Sequence, residues 1–433
     1  MEVKETVDPS VPQNEAPEDT RYLCYITYFI CGLSVVLPFS SVVNASQALE
    51  ERLVDLPVAD AFLTHFSVLY MVTKLIFLAG VLFMKRGRKV MARNAMIGSL
   101  VLATSVAILL IFSIWEQIPP NVFYAFLLIL SIAISLSSVL LESGISGIIA
   151  HFPPRIMQSH FIGQGSSGIL AALLAIILEY AISGKDKRRV LMICQIGMAL
   201  VVTVASFWLQ YFARKTPFYV HYESKVGASE NTEYEQEANE KQEKLHEIVW
   251  KISDLLGTAF MSSFVSLCIY PYFIVHTMST DCSGPRTDWK HRIFRPLAFL
   301  VGSSFDLIGR SLPAIPILFR LNIPFLPLAF SKFFILIGLF MGNVKIKGRQ
   351  LPFKPILPSD VLFFLLLATS AIVSGYLSTM AVVAAPMRVH QGVRSKATNL
   401  LVLASIYGAV SGSFTSALIA YFLRSISVEL PIT

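Results

Sequence analysis

Residues 122–141 carry no charged side chain, and neither do residues 100–114. An uncharged apolar run of about 20 residues matches the ~30 Å hydrocarbon core of a bilayer at 1.5 Å rise per residue. In lipid, such a run must satisfy its backbone groups internally, so it folds as a helix. Runs of this kind recur along the chain, at roughly 21–44, 60–84, 94–115, 122–149, 161–182, 190–212, 248–275, 294–318, 325–340, 361–386 and 400–423. The expected fold is therefore an all-α polytopic membrane protein of about eleven transmembrane helices. Composition agrees: 55% of residues are hydrophobic and only 15% charged, against about 25% charged in soluble domains.

The net charge of +7 does not point to nucleic acid, because the basic residues lie in short loops between apolar blocks. The run Lys85-Arg86-Gly87-Arg88-Lys89 ends a block and reads as an anchor to lipid headgroups. Of the five cysteines (Cys24, Cys31, Cys194, Cys268, Cys282), four fall inside apolar blocks, as small buried residues do, and not in a disulfide framework. The polar, acidic residues 1–20 precede the first apolar block, the wrong order for a cleavable signal peptide, and they read as a disordered tail.

One connection stands apart. Residues 214–244 are polar and rich in glutamate, including Glu230, Glu233, Glu235, Glu237, Glu240 and Glu243, and cannot bury enough apolar area to fold alone. The expected layout is a tail over 1–20, a six-helix bundle over 21–213, a hydrophilic intracellular loop over 214–247 and a five-helix bundle over 248–433. Two bundles around a central path is the layout of many transporters. Lysine and arginine are spread almost evenly over the two sides, so the positive-inside rule alone leaves orientation open.

An ionisable residue inside a membrane segment costs several kcal/mol and is a functional hypothesis by default. Lys74 lies deep in the second block, Glu142 follows a long uncharged run, and Lys332 sits mid-block in the ninth. Asp306 and Arg310, four apart, share one helix face. Lys74, Glu142, Asp306 and Arg310 sum to zero charge, which suits an interior network; the alternatives are that Asp306 and Arg310 are a structural pair tying helices together and that Glu142 is a protonated acid holding a backbone carbonyl. Lys74 and Lys332 read as structural partners or gate elements, and Gln164 as a residue that either faces the path or bridges helices. His65, His151 and His160 read as loop or helix-end residues with no assigned role, and Glu179 as interfacial. The clusters Gly144-Ile145-Ser146-Gly147 and Gly163-Gln164-Gly165-Ser166-Ser167-Gly168 allow two helix backbones to approach closely.

Four motifs in order resemble the equilibrative nucleoside transporter family. They are Gly32-Leu33 with Leu37-Pro38, then Gly163-Gln164-Gly165 with Gly168, then Phe305-Asp306-Leu307-Ile308-Gly309-Arg310-Ser311-Leu312, then Ser374-Gly375-Tyr376-Leu377-Ser378. The last lacks an asparagine of the family pattern. The resemblance implies a fold similar to the major facilitator type, a cytoplasmic amino terminus and alternating access around a central cavity. It implies that Asp306 and Arg310 hold the ribose hydroxyls, with Ser303 counted in the same substrate-binding set. Glu142 falls where the family has a base-reading glutamine, and Phe39 where it has a tryptophan stacking near the base.

Two positions depart from that pattern. Phe39-Ser40 replaces tryptophan–asparagine, and Glu142 replaces an amide by a carboxyl. Ionised, Glu142 only accepts hydrogen bonds and favours bases that present N–H groups; protonated, it mimics the amide. A buried acid on a transport path also opens the way to proton coupling.

The expected function is transport of nucleosides, purines foremost, and of nucleobases, with a facilitator-type carrier of another polar solute such as a sugar as the alternative. The partners are nucleosides or nucleobases and the lipid bilayer, and the expected state is a monomer in the plasma membrane. No cofactor is expected. No P-loop is present, and no metal cluster or nucleophile–base pair occurs at helix spacing, so ATP-driven transport and catalysis are not expected.

Overall fold

The computed structural model describes residues 17–56, 59–83, 88–149, 152–182, 184, 186–223, 245–269, 273–274, 277, 279, 289–315, 324–340, 342, 349–350, 357, 359–389, 393–426 and 428–429. His151, Cys282, the anchor Lys85–Gly87, most of the tail and the glutamates named in the central loop lie outside the described residues.

Every apolar block contains a helix. The helices are α1 (Leu23–Asn44), α2 (Ser46–Arg52), α3 (Phe62–Phe83), α4 (Arg88–Ile114), α5 (Pro120–Ile149), α6 (Pro154–Ala181) and α7 (Lys187–Ala213). They continue as α8 (Leu245–Lys251), α9 (Ser253–Ile269), α10 (Trp289–Ser311), α11 (Phe325–Phe340), α12 (Asp360–Met387) and α13 (Arg394–Ile426). Among the described residues eight helices are individually long and apolar enough to span a membrane, and nine if α8 and α9, bent by 70°, form one span. The other two blocks are α11, short at 16 residues, and α10, which carries Arg295, Asp306 and Arg310. A two-residue antiparallel pair, Arg349–Gln350 with Val428–Glu429, is the strand structure among the described residues.

Local chemistry sets several helix ends. Pro120 opens α5 and Pro154 opens α6, at the first turn where the missing N–H has no intrahelical partner anyway. Ser359 caps α12, its hydroxyl accepting from Val361 N at 3.2 Å. At the end of α4, Arg52 donates to the carbonyls of Phe112 and Ser113 at 3.0 and 3.1 Å and to that of Trp115. These are the acceptors a helix C-terminus leaves open. Burial, and then the charge of Arg189, lower the Arg52 pKa from its ordinary value.

The helices expose large apolar side chains, while small and polar residues share their buried faces with a large apolar core. On α7 the buried residues Met192, Gln195, Ile196, Ala199, Thr203, Ser206, Gln210 and Ala213 recur every three or four positions, one helical face. Val201, Trp208 and Phe212 point outward, towards lipid. Lipid gives no hydrophobic drive between helices, so close backbone approach and hydrogen bonds must hold them. Ser34 donates to Ser206 at 3.2 Å, joining α1 to α7, and Gln195 donates to the Ala171 carbonyl at 2.7 Å, joining α7 to α6.

Helices α1 and α3–α7 pack on one another, as do α9–α13; α6 against α10 and α3 against α13 are the main contacts between the two sets. The first turns of the central connection are ordered: residues 217–223 are helical, and Phe218, Tyr219 and Tyr222 pack around Phe152. Cys24, Cys31 and Cys268 are buried free thiols, as expected of small core residues. Glu179 pairs with Lys187 at 2.9 Å across the α6–α7 turn.

The glycine motifs are contact surfaces. A Cβ at Gly32 would collide with the His160 carbonyl, and one at Gly163 with the Phe29 carbonyl, so α1 and α6 touch backbone to backbone. Glycines 309 and 375 do the same for α10 and α12, against the carbonyls of Ile372 and Asp306. Gly163→Ala is therefore expected to cost about 1–3 kcal/mol through overpacking, read as a lower Tm in detergent. Gly80→Ala, with open space around its added Cβ, should melt at or slightly above the parent, since alanine is the better helix former. Equal melting of the two variants would refute the packing role.

Candidate functional site

The intramembrane charges do not form one network. They divide into two clusters, which meet on neighbouring residues of α6, and a separate lysine.

The first cluster joins α3, α5 and α6. Lys74 Nζ lies 2.8 Å from Glu142 Oε2, with side chains 13% and 14% exposed. Gln164 Nε2 donates to Glu142 Oε1 at 3.3 Å and also lies 3.2 Å from His160 Nε2. His160, fully buried, places Nδ1 3.4 Å from the Tyr28 carbonyl. A carbonyl only accepts, so His160 carries its proton on Nδ1 and Nε2 accepts from the Gln164 amide. The two amide hydrogens of Gln164 are thus turned towards Glu142 and His160.

His160 is a correction to the sequence reading. It lies inside α6 as part of this chain, and not at a helix end without a role. Its four-residue spacing to Gln164 was the signal, since i and i+4 share a helix face.

Beside the ion pair stands an aromatic wall. The Phe39 ring stacks on Tyr70 with centroids 4.9 Å apart, and on Phe66 at 6.2 Å. Tyr70 lies one turn before Lys74 on α3 and is itself buried. Phe39 keeps part of its surface open. Sequence reasoning missed Tyr70 and Phe66, because aromatic residues in an apolar segment carry no signal of what they stack on.

The second cluster is on α10. Arg310 Nε donates to Asp306 Oδ2 at 2.7 Å, with side chains 21% and 23% exposed. Both side chains reach open space, and a guanidinium retains further N–H donors after one bond. The glycines of α6 shape this contact: a Cβ at Gly165 would lie 3.0 Å from Arg310 Cδ, and one at Gly168 would strike the Ser303 hydroxyl. Gln164 therefore touches the first cluster while Gly165, next to it, touches the second. A larger side chain at 165 would press on the Arg310 side chain, and one at 168 would displace the Ser303 side chain.

Lys332 forms its own site and is fully buried. Its Nζ donates to the Ser262 carbonyl at 2.8 Å, to the Ser266 hydroxyl at 3.1 Å and to the Ser262 hydroxyl at 3.4 Å. Ser374 bonds both serines, at 3.1 and 2.9 Å. Lys332 and Asp306 are not in salt-bridge contact among the described residues, and Asp306 pairs with Arg310 instead. The serines were missed, because polar residues this small are common in membrane helices.

Replacing a buried charge by an apolar side chain of similar volume is often neutral or stabilising when the remaining polar groups keep partners. Here Ser262, Ser266 and Ser374 keep one another. Lys332→Met is expected to melt within about 1 kcal/mol of the parent or above it. A large destabilisation would show the ammonium to be structurally required.

Among the described residues no group of three or more His, Cys, Asp and Glu side chains is placed to hold a metal ion.

Comparison with known proteins follows the same lines. A family described as "Nucleoside transporter" matches residues 128–423. The chain is 23% identical over 321 residues to equilibrative nucleotide transporter 1 of Arabidopsis thaliana, the match covering 70% of this chain and 66% of that protein, just under two thirds. It is 21% identical to equilibrative nucleoside transporter 3 of Rattus norvegicus, with 96% of this chain and 93% of that one covered. In fold it is similar to a major facilitator superfamily proton:xylose symporter, at TM-score 0.66, 12% identity, and 94% and 92% coverage. It is also similar to a peptide transporter, at TM-score 0.56, 14% identity, and 93% and 90% coverage. At these identities the solved structures speak for the fold alone.

Proposed function

The chain belongs to the nucleoside transporter family, and from that premise we propose that it carries nucleosides, purines foremost, and free nucleobases by alternating access between two helix bundles. The observation that carries this reading is the Asp306–Arg310 pair at 2.7 Å, about a fifth exposed. A ribose diol both donates and accepts hydrogen bonds; a carboxylate accepts and a guanidinium donates. The pair is thus complementary to the sugar, with Ser303 beside it. Phe39 offers a flat face for a base, and the Glu142 cluster a polar edge beyond it. A nucleoside has the same two ends, a flat heterocycle and a diol, and α6 touches both clusters with consecutive residues.

In this reading Lys74 and Gln164 hold Glu142, and Lys332 holds α9 to α11. The protein is an integral multi-pass membrane protein; we place it in the plasma membrane as a monomer, amino terminus in the cytoplasm. Transport is facilitative, with no cofactor and no catalytic step.

The decisive experiment is uptake of radiolabelled nucleoside into proteoliposomes with competitors. Purine nucleosides and not hexoses should compete; competition by hexoses would favour the sugar-carrier alternative.

A second reading is proton coupling through Glu142, motivated by its ion pair with Lys74 and its residual exposure of 14%. Protonating the carboxylate would release Lys74 and change the charge of the path. Wild-type uptake should then respond to an imposed pH gradient and Glu142→Gln uptake should not. Equal rates with and without the gradient in the wild type would remove this reading.

A further inference from the structure

Glu142 and Lys74 set three polar atoms side by side. The order is the Lys74 ammonium, Glu142 Oε2 at 2.8 Å from it, and Glu142 Oε1, whose far side is held by Gln164 Nε2 at 3.3 Å. An ammonium has three N–H donors and an ionised carboxylate about four lone-pair positions. Lys74 and Glu142 each spend one on the other, and Gln164 takes one more of the carboxylate's. Spare capacity remains along the whole row, which reads donor, acceptor, acceptor.

We propose that this row selects the guanine edge, and that Lys74 is a specificity-determining residue of the transporter. The inference rests on the nucleoside reading and deepens it.

Guanine presents O6 as acceptor, then N1–H and N2–H2 as donors. Against the row it makes three bonds: O6 to the Lys74 ammonium, N1–H to Glu142 Oε2 and N2–H to Glu142 Oε1. Hypoxanthine lacks the amino group and makes two. Adenine presents N6–H2 beside the acceptor N1 and reaches at most two, with the C–H at position 2 contributing none. Uracil offers acceptor, donor, acceptor, so its last oxygen faces a carboxylate oxygen. Only guanine places a donor opposite both carboxylate oxygens and an acceptor opposite the ammonium.

The surroundings support the assignment. His160, fixed by the Tyr28 carbonyl, accepts from one Gln164 amide hydrogen and leaves the other for Glu142, which holds the carboxylate as an acceptor along the row. The Phe39–Tyr70 stack at 4.9 Å supplies an aromatic face next to it. A site built to hydrogen-bond a group discriminates strongly against an analogue that leaves its buried partners unpaired.

The test uses the full chain in proteoliposomes, with labelled inosine uptake inhibited by guanosine or adenosine. Guanosine is expected to inhibit at a concentration at least about tenfold lower than adenosine, the effect of one added hydrogen bond to a charged group. In Glu142→Gln one carboxylate oxygen becomes an NH2 that opposes a guanine N–H, so the ratio should fall towards one. In Lys74→Met the O6 partner is lost and the ratio should fall as well. A loss of protein stability alone would lower uptake without changing this ratio.

Thermal stabilisation of purified protein by each nucleoside gives a second readout where a variant transports poorly. Equal inhibition by the two nucleosides in the wild type, or an unchanged ratio in both variants, overturns the proposal while leaving nucleoside transport intact. Inosine uptake at the level of empty liposomes, with no stabilisation by any nucleoside, would overturn the transport reading and this inference together.

Discussion

Asp306→Ala is expected to reduce nucleoside uptake by about thirtyfold or more while the protein still reaches the membrane. Asp306 and Arg310 sit 2.7 Å apart within one helix, each about four-fifths shielded. Truncating one partner of a hydrogen-bonded charge pair costs about 2–5 kcal/mol, much of it from the charge left behind. Here the residual Arg310 guanidinium would be left without its acceptor, and in the proposed binding mode the ribose would lose the carboxylate that accepts from its hydroxyls.

Asp306→Asn keeps an acceptor and the shape but not the charge, so it should fall between the parent and the alanine variant. The double swap Asp306→Arg with Arg310→Asp keeps a pair at the same spacing but reverses donor and acceptor. It should fold and transport poorly. Uptake by Asp306→Ala within twofold of the parent, in protein of normal melting behaviour, would remove the pair from the substrate site.

The second large effect is on stability. Breaking a buried ion pair by removing one partner costs about 3–5 kcal/mol, whereas removing both with retained volume is often nearly neutral. Lys74→Met leaves the Glu142 carboxylate with Gln164 as its remaining described hydrogen-bond donor, and Glu142→Gln leaves the Lys74 ammonium facing an amide. Each single variant should melt well below the parent. The double variant should recover most of the loss, with a coupling energy of about 1–3 kcal/mol. Melting curves of the four proteins in one detergent complete the cycle. Additive losses would mean that the 2.8 Å contact carries no net coupling.

Much of the architecture was legible before any coordinate. Length of apolar run, helix rise and bilayer thickness alone place the spans. Two blocks fall short of a full apolar span for reasons visible in the sequence, since α11 is short and α10 carries charges, whereas the 70° bend between α8 and α9 is seen only in the structure. Asp306 and Arg310 were readable as a pair because four residues return a helix to the same face. Gly163, Gly165 and Gly168 were readable as contact residues because a missing side chain lets a neighbouring helix come close, by its backbone at 163 and by its side chains at 165 and 168.

The partners across helices were not readable. Lys74 and Glu142 are separated by 68 positions (142 − 74), and zero net charge among four residues was equally consistent with one network or two. The structure divides them in two, because α3 meets α5 while Asp306 keeps its partner within α10. Lys332 looked like a candidate for the same network and instead rests among serines of α9, with α12 closing over them. His160 looked peripheral and is buried.

The sequence by itself determined that this is a membrane-spanning, all-helical chain and which of its residues are costly to bury. Those are properties of each segment against its solvent. Only the tertiary structure decided which buried charge neutralises which, and that Gln164 and Gly165 of one helix touch the two polar clusters. Such pairings depend on how helices cross, and the crossings follow from small residues whose effect exists only once two backbones meet.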